Sequence, residues 1–168
     1  RYQTNLPGVY AVGDCIGGIM LAHTASFEAE EAVEGMFVEG HTPRHPENVP
    51  GCTYCHPQVG SVGKRERQLK EEGVEYVVGK FPFQAVGCAV AGGSTEGFVK
   101  LIFSKDERRL LGVHLVGNHA TELLTAPELA LAHHMTGEEM NAMIYAHPTL
   151  AEAIHEAILA ADGRAIHA

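Results

Sequence analysis

Two apolar segments, residues 98–103 and 110–116, constrain this chain more than any other feature. Only a short charged stretch, opening Ser104-Lys105-Asp106-Glu107-Arg108, separates them. Strands so close in sequence pair antiparallel, because a parallel pair needs a crossover of roughly a dozen residues. Around this hairpin the chain reads as strands first and helices afterwards. Residues 52–62 supply one or two strands about His56-Pro57. Residues 64–72 form a charged helix closed by Gly73, and residues 74–83 alternate toward strand. The last third is helical. Residues 120–134 are interrupted by Pro127, Thr136-Gly137-Glu138-Glu139 is a capping box, and Thr149-Leu150-Ala151-Glu152 opens a helix running to about residue 161. This order predicts an α+β fold, a mostly antiparallel sheet with helices on one face.

The first 40 residues differ in character. Residues 9–12 read as a short buried strand stopping at Gly13-Asp14. Beyond Gly17-Gly18 a helical period puts Ala22, Ala25, Ala29, Ala32, Val33, Met36 and Phe37 on one face. One strand and one helix cannot bury that face alone, so residues 1–40 are expected to be the strand–helix remnant of a larger sheet domain. With Arg1 as its first residue, the chain reads as a fragment starting mid-fold. Residues 41–50, rich in Pro and polar side chains, read as a linker. Residues 51–168 form the second domain.

Charge narrows the functions open to it. Lys and Arg number 12 against 21 Asp and Glu, a formal charge of −9, and without a basic cluster there is no footprint for nucleic acid or an anionic membrane. No apolar run approaches the ~20 residues of a membrane-spanning helix. The 11 histidines would carry the formal charge from −9 to +2 if all were protonated, so surface charge responds to mild acid. Four cysteines (Cys15, Cys52, Cys55, Cys88) are too sparse for a secreted disulfide framework and point to a reducing cytoplasm. The chain has no G-x-G-x-x-G, P-loop, G-x-S-x-G or H-E-x-x-H, so a free-standing nucleotide-binding enzyme or serine hydrolase has no support.

Cys52-Thr53-Tyr54-Cys55-His56 satisfies the C-x-x-C-H pattern of covalent haem attachment, and Cys52 and Cys55 with two of His41, His45 and His56 could hold zinc. In extended chain, positions i and i+3 point to opposite faces, which favours ordinary strand cysteines. Glu152-x-x-His155 is half of a di-iron ligand set without its second half. No metal site is assigned. His147-Pro148-Thr149-Leu150-Ala151-Glu152 allows two readings that partly overlap. Thr149 and Glu152 form a capping box, or Glu152 orients His147 as a base poised near neutral pH. Asp14, at a strand end after Gly13, can accept bonds from ligand hydroxyls or serve only as a turn residue. The helix start near Met20, Leu21, Ala22 and His23 offers backbone N–H groups to an electron-rich ligand.

These two stretches resemble the flavin-dependent pyridine nucleotide-disulfide oxidoreductases, and within them the dihydrolipoamide dehydrogenase branch. Tyr10-Ala11-Val12-Gly13-Asp14, followed by Met20-Leu21-Ala22-His23, is similar to the family's second flavin motif. Further matches in family order are His56-Pro57, Lys80-Phe81-Pro82-Phe83, Thr95-Glu96-Gly97-Phe98, Leu111-Gly112-Val113-His114 and His147-Pro148-Thr149-Leu150. The resemblance implies that Asp14 bonds the ribityl chain of FAD, with Met20, Leu21, Ala22 and His23 against the flavin ring. It implies that His147 takes a proton from a dithiol, with Glu152 holding the imidazole. It further implies a homodimer, NAD as electron acceptor, and lipoyl-bearing subunits of 2-oxo acid dehydrogenase complexes as partners. The family's redox disulfide, first dinucleotide fingerprint and NAD domain have no counterpart here, so the chain is expected to be inactive alone. It departs from the family at Tyr145, where a His is usual, at Val86-Gly87-Cys88, which lacks an Arg, and at Pro127. The alternatives are another member of the family, such as a glutathione or mercuric reductase, a non-catalytic dimerisation module, or a Cys/His metal-binding module.

Overall fold

Alternating apolar residues build one five-stranded sheet, all of it antiparallel. The computed structural model describes residues 2–44 and 48–167, in two units, Arg1–Glu47 and Asn48–Ala168. The second unit contains the sheet, in the order β1-β2-β5-β4-β3. Its strands are β1 (Gly51–Thr53), β2 (Gln58–Gly63), β3 (Tyr76–Pro82), β4 (Phe98–Ser104) and β5 (Leu110–Gly117). The expected β4–β5 hairpin is present, with Leu101 opposite Val113 and a register shift at Ile102/Phe103.

Val99, Leu101, Phe103, Val113 and Leu115 point to one face and are buried beneath helices α4 (Ala120–Leu123), α5 (Thr125–Ala132) and α7 (Glu152–Ala160). α7 lies directly on β3 because Gly79 has no side chain: a Cβ there would stand 1.8 Å from the Ala157 carbonyl oxygen. α2 (Glu66–Glu72) lies on the opposite face, where its Glu66 binds Lys100 and Tyr76. The helices are therefore mostly, rather than wholly, on one face. α2 ends at Gly73 in the left-handed conformation, as its sequence requires.

The interruption of residues 120–134 falls at Leu124, ahead of Pro127, which then sits in the first turn of α5 where its missing N–H costs little. α6 (Gly137–Asn141) carries the full capping box: Thr136 Oγ1 accepts from Glu139 N, and Glu139 accepts from Thr136 N. A short α3 (Gly87–Ala91) follows β3 after a 3-10 turn.

In the first unit, α1 spans Ala22–Phe37. The strand expected at residues 9–12 is instead one arm of a small hairpin. Gln3 and Tyr10 form an isolated antiparallel bridge, Thr4 N donates to Val9 O, and Val9 is exposed. The unit offers no further strand among its described residues, and a two-stranded ribbon alone buries little. For the same reason most of the apolar face of α1 stays open. Ala32 is buried, but Val33 is exposed and Phe37 is 80% exposed.

Part of the stretch read as a linker is tied down. Glu31, buried on α1, accepts from Arg44 N at 2.8 Å and from the Arg44 guanidinium, and lies 3.3 Å from His41 Nε2. Burial works against its charge, but Arg44 and His41 outweigh it and hold the carboxyl below its usual range.

Candidate active site

α7 begins at Glu152, and that first residue organises the loop before it. Glu152 Oε1 lies 2.8 Å from His147 Nδ1, and Oε2 accepts from Thr149 N at 2.9 Å. One carboxylate therefore serves the helix start and the imidazole together. Thr149 does not complete the capping box; its hydroxyl donates to Ala146 O at 2.7 Å. The Thr149 backbone bond and then the His147 ring hold the Glu152 carboxyl below its usual range, so it stays ionised near neutrality.

His147 projects outward with its side chain 78% exposed, and Ile144 beside it is 98% exposed. Both line a groove of about 520 Å³ with Tyr145, Glu152, Glu156 and His167. Tyr145 is half-buried and stacks on His155, ring centroids 4.8 Å apart. His155 Nε2 lies 2.9 Å from Asn141 Oδ1, an engagement that leaves the Glu152-x-x-His155 spacing a structural coincidence. Val86 and Gly87 also line the groove. A second imidazole–carboxylate pair, His167 Nδ1 and Glu156 Oε1 at 2.8 Å, escaped sequence reasoning. Its members lie eleven positions apart, with no spacing rule to join them.

In the first unit, Gly13 takes φ +75° and a Cβ there would press on Ala25 at 3.0 Å, so glycine lets the turn lie on α1. Gly13 N donates to Glu28 Oε2 at 2.7 Å, which fixes the one-turn 3-10 helix bearing Asp14. Asp14, Met20, Ala22 and His23 are exposed and Leu21 half-buried. α1 starts without a side-chain cap. Glu31, Glu34 and His41 bring ligand atoms within 4.8 Å of one another, but the Arg44 guanidinium already supplies the cation there.

The cysteines divide. Cys52 is half-buried on β1, and burial pushes its thiol up, away from thiolate. Cys55 lies in the following turn and its Sγ donates to Pro57 O at 3.0 Å. His45, one of the alternative zinc ligands, falls outside the described residues. No helix among the described residues is long and apolar enough to cross a membrane.

A sheet of this order, bearing a His–Glu pair at the start of its last helix, defines a class. Residues 49–158 match the pyridine nucleotide-disulphide oxidoreductase dimerisation domain, and the chain belongs to that family. It is 44% identical over 166 residues to dihydrolipoyl dehydrogenase of Zymomonas mobilis, which covers 98% of this chain and 36% of that protein. It is 45% identical over 165 residues to the enzyme of the same name from Bacillus subtilis (98% and 35%) and 46% identical over 168 to the mitochondrial one of Canis lupus familiaris (99% and 33%). The chain thus spans about a third of the length of these relatives. Among solved structures, LpdA of Mycobacterium tuberculosis superposes with a TM-score of 0.84 at 25% identity, covering 94% of this chain and 34% of that one. The flavoprotein disulfide reductase RclA of Escherichia coli shares the fold, with a TM-score of 0.82 at 23% identity over 89% and 34%.

Proposed function

We propose that this chain is part of a dihydrolipoyl dehydrogenase, supplying the proton-transfer pair and the dimer surface for oxidation of a dithiol by a redox disulfide, with FAD and NAD as cofactors. The observation that carries the reading is the Glu152 carboxylate shared between Thr149 N and His147 Nδ1. It leaves Nε2 as the proton-exchanging atom of a ring that cannot swing freely. That nitrogen takes the proton of the substrate thiol, and the ionised Glu152 stabilises the imidazolium formed. The thiolate is then the nucleophile.

The exposure of His147 and Ile144 supports a homodimer. A base of this kind acts on a substrate shielded from bulk water, and this chain alone does not cover it. A second copy supplying the redox disulfide would. Residues 13–23 fit a flavin by the chemistry of their donor set. Asp14 presents a carboxylate to ribityl hydroxyls, the uncapped start of α1 suits an electron-rich ring edge, and Met20 and Ile19 offer exposed apolar surface to a flat ring. Bound FAD supplies two-electron transfer between the disulfide and NAD. The lipoyl-bearing subunits of 2-oxo acid dehydrogenase complexes are the matching partners. Four unpaired cysteines suit a reducing compartment such as the cytoplasm.

Replacing His147 with Gln in the intact flavoprotein is expected to lower turnover by about 10² or more while flavin content is retained. Turnover equal to that of the unmodified enzyme would remove the base assignment.

A further inference from the structure

Glu156 follows Glu152 by one turn of α7, so the two carboxylates share a helix face. Nothing in the reaction above uses Glu156, yet its side chain is only 6% exposed. Its Oε1 lies 2.8 Å from His167 Nδ1, and its Oε2 accepts from Ile166 N at 2.8 Å and His167 N at 3.3 Å. Burial works to raise its pKa, but these donors prevail and hold the carboxyl below its usual range. The His167 ring is 68% exposed. His147, Glu152, Glu156 and His167 all line the same groove.

Two of the three imidazoles lining the groove therefore have Nδ1 at a carboxylate and Nε2 left to exchange a proton. The other titratable groups facing it are engaged elsewhere. His155 is paired with Asn141, and the Tyr145 hydroxyl donates to Met140 O at 3.2 Å.

We infer that His167, oriented by Glu156, is a proton-relay residue that receives from His147 the proton delivered by a thiol substrate and passes it to solvent. This rests on the reading of His147 as the base. Oxidation of a dithiol by a disulfide explains the need. The first thiol loses its proton, and its thiolate attacks the disulfide to form a mixed disulfide and release one enzyme thiolate. The second thiol loses its proton, and its sulfur attacks the mixed disulfide, closing the product disulfide and releasing the second enzyme thiolate. Two protons leave the substrate, and two electrons come to rest on the enzyme thiolates. One imidazole holds one acquired proton at a time, so His147 must discharge the first before it accepts the second. His167 lines the same groove and is the other imidazole there whose Nδ1 is held by a carboxylate.

The test uses the intact flavoprotein containing this chain, with His167→Gln, a change at an exposed ring that keeps a donor for Glu156. Turnover in weakly buffered medium near neutrality is expected to fall about tenfold, less than the 10²–10⁴ of a direct proton transfer, and to recover when free imidazole is added. Unchanged turnover in weak buffer, or a loss that imidazole does not restore, overturns the relay. A pH-indicator dye in stopped flow gives a second readout: slower proton release during enzyme reduction supports the relay, and an unchanged rate overturns it. The two readings fail separately. Full activity of His147→Gln removes the base assignment, whereas an impaired His147→Gln beside an unaffected His167→Gln removes only the relay.

Discussion

A carboxylate has two oxygens, and at Glu152 they do different work. Oε2 accepts the Thr149 amide at the start of α7, and Oε1 meets the His147 ring. Gln at position 152 separates these tasks. Its carbonyl can still take the Thr149 amide, but its NH₂ then faces Nδ1 as a donor. That forces the ring proton onto Nε2, the nitrogen that must be unprotonated to act as a base. Glu152→Gln is therefore expected to lower turnover by about 10² with the thermal midpoint little changed. Wild-type turnover in this variant would mean that Glu152 serves only the helix start. The sequence offered the pair as one of two overlapping readings, because His147, Thr149 and Glu152 are close in the chain and Pro148 fixes the backbone between them. The Thr149 hydroxyl was not legible. Its donation to Ala146 O competes with capping, and so short a sequence does not decide between a carbonyl and an amide as partner. Glu156 and His167 were equally silent, because only the folded path of residues 161–167 brings that ring back to α7.

At the scale of elements, strong local signals survived and weak ones did not. The β4–β5 hairpin, the Gly73 terminus and the Thr136 capping box each rest on a mechanism confined to a few residues. α3 has five residues, begins with Gly87 and has no side-chain cap, so no local signal announces it. The strand expected at residues 9–12 failed for the opposite reason. Its apolar pattern is real, but a strand needs neighbours, and only the short arm at residues 2–4 pairs with it. Packing between elements was the least legible of all, and Gly79 shows why. Its role is to let the Ala157 carbonyl approach, a contact across 78 positions of sequence. Gly79→Ala places a methyl group against backbone rather than a yielding side chain, so α7 must lift from β3. The expected cost is about 3 kcal/mol or more. Because α7 carries Glu152, turnover should fall with it. A denaturant midpoint close to that of the unmodified protein would show that α7 is held chiefly by its other contacts.

The whole molecule divides its stability as unequally as its chemistry. Ala32 is the one buried apolar side chain contributed by the first unit among the described residues; every other one lies in Asn48–Ala168. The second unit closes a five-stranded sheet over a core running from Val62 to Ile158. The first unit presents Leu6, Val9, Ile16, Met20, Val33 and Phe37 to solvent, more apolar surface than a small unit leaves open without a partner. Folding energy scales with buried apolar area, at roughly 25 cal/mol per Å². By that measure the second unit is expected to fold without the first, and the first to need surface supplied from outside it. Residues 48–168 produced alone should retain their β-rich circular dichroism and unfold in one sharp transition, because the sheet, its helices and the Glu152–His147 pair are all internal to them. Residues 1–47 alone should show no cooperative transition, since α1 would have neither a sheet beneath it nor the length to persist in water. Broad, non-cooperative melting of residues 48–168 would contradict this division and make the first unit a structural requirement of the site. Sharp melting would instead separate the roles, leaving the second unit as the scaffold of proton transfer and the first as a surface completed only by what binds it.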